Sequence, residues 1–167
     1  MNAAVHVRPP VLADERAFLS AVRASRKLHQ PWTAAPGTPA LFRAYIERMA
    51  LPHNSAFLVC RRDTGAFVGV INVTNMILGQ FRSGYLGYYA FAGHERQGLM
   101  RQGLRAVVGR AFKQLKLHRL EANIQPANAA SLALVASCGF TQEGYSPRYL
   151  KIGGRWRDHE RWAILAS

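Results

Sequence analysis

The sequence predicts one α+β domain, residues 1–167, organised around a mixed sheet. Three observations carry this. The hydrophobic period switches between alternation and helical spacing in the order β-α-α-β-β-β-α-β-α-β-β. No repeat or Pro/Gly/Ser-rich linker interrupts that order. The length and the 49% hydrophobic content suit a single sizeable core and exclude a disordered chain.

Each element has its own signal. Residues 5–8 alternate as a short edge strand closed by Pro9-Pro10. Residues 13–29 place Phe18, Leu19, Val22 and Leu28 at helical spacing, with Asp14-Glu15 in the favoured first turn. Three prolines and one glycine make residues 30–39 a loop. Residues 40–50 read as a helix through Leu41, Phe42, Tyr45, Ile46 and Met49. Residues 55–61 and 66–74 are strands joined by the turn Asp63-Thr64-Gly65, a hairpin. A further strand spans 83–91. Residues 98–116 form a helix with Met100, Leu104, Val107, Val108, Ala111, Phe112 and Leu115 on one face and Arg101, Arg105, Lys113 and Lys116 largely off it. A strand at 119–124 leads to a helix at 128–138. Two final strands, 141–152 and 155–165, flank the hairpin signal Gly153-Gly154.

The net charge of +13 calls for an anionic partner: a nucleotide-like cofactor, an acidic substrate or nearby RNA. Its clusters lie at residues 23–27, 61–62, 101–116 and 148–161, which also describes a solvated basic surface. Cys60 and Cys138 sit in apolar contexts and read as free thiols. The six histidines lack metal-ligand spacing, so no metal is expected. No apolar run approaches the roughly 18 residues of a membrane-spanning helix, and residues 1–11 lack an apolar signal core. The expectation is a cytoplasmic protein without a membrane partner, either monomer or homodimer.

The chemistry concentrates between residues 85 and 144. The extended run Leu86-Gly87-Tyr88-Tyr89-Ala90-Phe91 enters a glycine-containing turn that opens a long helix. Strand, turn and helix N-terminus make an anion site, because the first N–H groups of a helix are unpaired and its dipole favours negative charge. No Gly-Lys-Ser/Thr ends the turn, so it is not a nucleotide P-loop.

Five segments in order complete the pattern: Glu95-Arg96-Gln97-Gly98-Leu99-Met100; Arg119-Leu120-Glu121-Ala122-Asn123; Pro126-Ala127-Asn128-Ala129-Ala130-Ser131; Cys138-Gly139-Phe140-Thr141-Gln142-Glu143-Gly144; and Gly154-Arg155-Trp156-Arg157-Asp158-His159. Together they resemble the GNAT N-acetyltransferase superfamily, and within it the ribosomal-protein-alanine N-acetyltransferases, the Rim group. The resemblance covers essentially the whole chain. It implies a mixed, mostly antiparallel sheet with splayed central strands and helices on both faces. It also implies acetyl-CoA as co-substrate and the α-amine of a protein N-terminus, of a ribosomal protein in the Rim group, as acceptor.

The resemblance assigns roles residue by residue. Arg96, Gln97, Gly98, Leu99, Met100 and Arg101 would cradle the CoA pyrophosphate. Glu95 stands where the superfamily usually has Gln or Arg, and Met100 where Gly or Ala is usual. Tyr89, Ala90 and Phe91 would pair with the pantetheine arm, an amide near Tyr89 stabilising the oxyanion. Asn128 is a good helix N-cap and is implied to touch the pantetheine arm or a nearby substrate group. Many GNAT enzymes carry a proton-donating Tyr four residues after position 131; here that residue is Val135. Ser131, one turn earlier, is then either the acid or a capping hydroxyl. Glu121 is either the base for the attacking ammonium or an ion-pair partner of Arg119 or Arg148. Asp158 and His159 would order the substrate side. His29 and Trp32 lie in the loop that would line the acceptor cleft, where Trp32 is either a substrate wall or a core anchor. Two other functions stay open: acetylation of a small amine or antibiotic, and a non-catalytic CoA-binding or RNA-associated module.

Overall fold

The computed structural model describes residues 3–167. Seven strands form one sheet in the order β1-β2-β3-β4-β5-β7-β6: β1 Val5–Arg8, β2 Ser55–Arg61, β3 Phe67–Ile77, β4 Ser83–Ala90, β5 Arg119–Ile124, β6 Thr141–Ile152 and β7 Arg155–Leu165. Every neighbouring pair is antiparallel except β4 and β5, which run parallel. The helices are α1 Glu15–Ala24, α2 Arg26–His29, α3 Pro39–Met49, α4 Leu99–Lys113 and α5 Ala129–Ser137. None is long and apolar enough to cross a membrane among the described residues.

Strand alternation divides the buried residues into two cores. Val59, Ile71, Val73, Leu86, Leu120, Ala122 and Ile124 pack beneath Leu104, Val107 and Ala111 of α4 and Val135 of α5. On the other face, Leu58, Cys60 and Val70 pack against Phe18, Leu19 and Val22 of α1 and Phe42, Tyr45 and Met49 of α3. Helices on both faces of a mixed sheet match the expected architecture.

Two elements differ from expectation. The helix expected over 13–29 divides at the buried Ser25. The Ser25 hydroxyl donates to the Ala21 carbonyl at 2.6 Å and accepts from the Ala92 N–H at 2.9 Å, which ties the break to the end of β4. Strand β3 runs three residues past 74, the expected end, to Ile77, with a register shift after Thr74 and Asn75 at φ 51°. Helix α3 begins where its cap dictates: the Thr38 side chain accepts from the Leu41 N–H at 3.3 Å, and Pro39 follows it.

The feature that positions the site is a split between β4 and β5. Pairing runs from Ser83↔Arg119 to Leu86↔Ala122 and then stops. Strand β4 continues to Ala90, still paired with β3 as far as Gly69↔Ala90, and β5 continues to Ile124. From Gly87 and Asn123 onward the two strands diverge, which leaves one backbone edge of β4 open.

Candidate active site

The far end of β4 feeds the turn into α4. Gly98 stands at the N-cap with φ 70°, a left-handed conformation that glycine adopts without a Cβ clash. No side chain caps α4, and no acidic residue occupies its first turn. Its first N–H groups are therefore free to meet an anion. The Arg101 guanidinium hangs beside Gly98, 3.7 Å from where a Cβ would stand. Gln97 is held by Arg61 at 3.1 Å and donates to the Gly93 carbonyl. Glu95 turns back into its own loop and accepts from the Gly93 N–H at 2.8 Å, and backbone N–H groups hold its pKa below the ordinary carboxylate value. Gly69 lets the sheet and α4 meet: a Cβ there would come within 2.5 Å of Met100 Sδ and 2.6 Å of the Tyr89 carbonyl.

Across the split stands α5. Asn128 caps it, its Oδ1 accepting from the Ser131 N–H at 3.2 Å. The Ser131 hydroxyl is thereby free of capping, and it lies 2.6 Å from the hydroxyl of Tyr88 on β4. Val135 is fully buried in the α4-side core. Cys138 also borders that core, and burial raises its thiol pKa, which disfavours a thiolate nucleophile.

The face of the split toward α1 and α3 carries the remaining residues. His29 is buried; its Nε2–H donates to the Ala90 carbonyl at 2.8 Å and its ring meets Tyr89 edge-on at 5.0 Å. The structure thus shows His29 as an anchor of α2 on the splayed part of β4. Trp32 is half-buried, its N–H bonded to the His29 carbonyl at 2.8 Å. Glu121 pairs in register with Tyr85, below the split, and binds Arg119 at 2.8 Å; Arg119 also pairs with Glu143. Asp158 accepts from the Tyr145 hydroxyl at 2.6 Å and the Arg148 N–H at 2.8 Å, bracing the final hairpin. It lines a surface hollow with Gln125, Pro126, Tyr145 and Trp156, past the end of β5. Among the described residues, the Tyr89 hydroxyl, Asn123 Oδ1 and, opposite Asn123 on β7, Arg161 Nε are buried on this face without a protein partner.

This combination of a splayed parallel pair and an uncapped helix after its first strand coincides with a family match. A profile described as an acetyltransferase (GNAT) domain matches residues 5–141. The chain belongs to the GNAT acetyltransferases. It is an N-acetyltransferase. The probable N-acetyltransferase YjcK of Bacillus subtilis is 28% identical over 169 residues, covering 96% of this chain and 93% of that protein. The [ribosomal protein uS5]-alanine N-acetyltransferase of Escherichia coli is 39% identical over 102 residues, covering 61% of this chain but only 53% of that enzyme. The structure of Mycobacterium smegmatis RimJ in complex with CoA-disulfide superposes with a TM-score of 0.90 at 27% identity, covering 97% of this chain and 82% of that one. Spermidine N-acetyltransferase of Vibrio cholerae, at 21% identity and TM-score 0.83 over 98% of this chain and 96% of that one, shares the fold.

GNAT enzymes use acetyl-CoA, and this site fits such a molecule on its own features. The uncapped α4 N-terminus beside Arg101 suits a pyrophosphate, and the open edge of β4 suits the amide-bearing pantetheine arm. Sequence reasoning missed Tyr88 and Asn123 in this GNAT site. Strand alternation could have found Tyr88, since it shares the α5-facing side with the buried Leu86.

Proposed function

We propose that this N-acetyltransferase transfers the acetyl group of acetyl-CoA to the α-amine of a protein N-terminus, of the ribosomal-protein-alanine type, by direct attack on the thioester. The observation that carries it is the split, beyond which β4 presents a backbone edge not paired with β5. Acetyl-CoA enters along β4 toward α4, and the amine approaches from the side of α1 and α3. Holding the two reactants together supplies most of the acceleration. An amide of residues 87–90, which have no partner on the β5 side, stabilises the oxyanion. Asn123 Oδ1, an unpaired acceptor beside the opening, suits an amine N–H. Glu121, held by Arg119 on the same face two residues earlier, receives the ammonium proton through water. Ser131, relieved of capping by Asn128, faces the departing thiolate.

Support for a peptide acceptor comes from the uS5-alanine enzyme of E. coli, at 39% identity over the shared region, and from the fit to RimJ. The charge of +13 repels a polycation such as spermidine and favours approach to RNA-rich surroundings. The test is release of CoA thiol from acetyl-CoA with an alanine-initiated peptide, a serine-initiated peptide and spermidine. The alanine peptide should give the highest kcat/KM, and spermidine as the best acceptor would overturn the assignment. In the same assay Ser131→Ala should lower kcat on the order of 10- to 100-fold with acetyl-CoA affinity retained.

A further inference from the structure

Position 135 on α5 holds a fully buried valine, so no phenol reaches the split from that helix at the place where many GNAT enzymes have one. A phenol arrives from another element. Tyr88 leaves β4 in the stretch beyond its pairing with β5, on the same face as Leu86, and its hydroxyl lies 2.6 Å from Ser131 Oγ and 3.2 Å from the Ser131 carbonyl. The contact spans the split, joining β4 to the helix that follows β5.

A phenol has one proton to give. If it goes to the Ser131 carbonyl, Ser131 must donate to Tyr88 and has no proton left for a substrate. If it goes to Oγ, the Ser131 proton is free to point into the split. Both arrangements use the 2.6 Å contact; the second places in it the proton of the phenol, intrinsically the more acidic of the two hydroxyls. Burial raises the Tyr88 pKa, so the phenol stays protonated at neutral pH and is available as a donor.

We propose, resting on the acetyl-transfer reading above, that Tyr88 is the positioning residue for Ser131: it donates to Ser131 Oγ so that Ser131 delivers its own proton to the departing CoA thiolate. The amine nitrogen bonds to the thioester carbonyl carbon. The C–S bond breaks with its electron pair on sulfur, and sulfur takes the Ser131 proton while the Tyr88 phenol keeps its own and holds Oγ in place. Nitrogen releases its proton by way of water, and water returns one to Ser131 Oγ. A phenol is thus supplied to Ser131 from β4, the opposite arm of the split.

The experiment is a double-mutant cycle with Tyr88→Phe, Ser131→Ala and the double variant, plus Ser131→Thr as the conservative control. Phenylalanine keeps the ring that packs against the core, so the fold is retained. Each is assayed for kcat and KM with acetyl-CoA and the best acceptor, and for CoA affinity by calorimetry. Tyr88→Phe should lower kcat about tenfold or more, with KM for acetyl-CoA and CoA affinity within about twofold. The double variant should fall no lower than Ser131→Ala, because both act on one proton, and Ser131→Thr should recover part of the loss. An unchanged kcat in Tyr88→Phe, additive losses, or a loss seen in CoA affinity instead of kcat would overturn the role of Tyr88. Full turnover in Ser131→Ala overturns the acid assignment itself, and a wild type that binds CoA but releases thiol with no amine overturns the acetyl-transfer reading.

Discussion

Gly98 concentrates two demands in one residue. Its φ of 70° disfavours any side chain, and its position opens the uncapped end of α4. Gly98→Ala should cost about 1–2 kcal/mol of folding stability while CoA affinity falls less than about tenfold. Gly98→Asp adds a carboxylate at the helix end proposed for the phosphates, and calorimetry should show CoA affinity reduced on the order of 100-fold. Equal effects of the two variants would return the loop to a purely structural role. Asp14 makes a prediction of a different kind. Burial opposes its charge, but hydrogen bonds from Arg8 at 2.7 and 2.8 Å and from the Val11 N–H at 2.8 Å prevail and hold its pKa below the ordinary value. A carboxylate with a depressed folded pKa stabilises above its unfolded pKa of about 3.9, and that stabilisation is lost as pH falls through the folded value. Urea melts should therefore show wild type losing stability below about pH 4 by more than Asp14→Asn does. At this scale the sequence reveals Gly98, Asn128 and Ser131 through motif and cap chemistry. It does not reveal that Tyr88 meets Ser131, because 43 residues separate them and only the closed sheet brings them together.

Among the elements, the hairpin of β6 and β7 is legible to the residue, because Gly153-Gly154 punctuates two alternating runs. The helix at 13–29 is legible as helix but not as broken. Apolar spacing continues through Ser25, and the break comes from bonds to Ala21 and to Ala92, a residue distant in sequence. The same limit applies to the split: both strands read as ordinary strands, and nothing local marks Leu86↔Ala122 as the last pair. On the face of the sheet that carries α1 and α3, these helices close an aromatic cluster. Phe18, fully buried, lies 4.8 Å from Phe42, 5.6 Å from Phe91 and 6.0 Å from Tyr45 between ring centroids. Phe18→Ala should cost about 3–5 kcal/mol in chemical denaturation, since it opens a cavity that three rigid rings cannot fill. A cost below about 1 kcal/mol would mean that α1 is not held by this cluster.

The whole molecule carries a net charge of +13, so its field reaches well beyond the site. CoA, with its phosphates, should bind more weakly and more slowly as ionic strength rises, and the slope should be shallower for Arg101→Gln, which removes a cation beside Gly98. Salt-independent binding would place the phosphates away from that helix end. The lone parallel pair in an otherwise antiparallel sheet has a further consequence at this scale. Two strands pointing the same way deliver their chains to the same rim, so α4 and α5 both begin there, and both contribute to one core on one face. The positive ends of both macrodipoles therefore lie toward that rim. Two positive poles on one edge make that edge an electrostatic lens: a multiply charged anion arriving there would meet both helix ends at once.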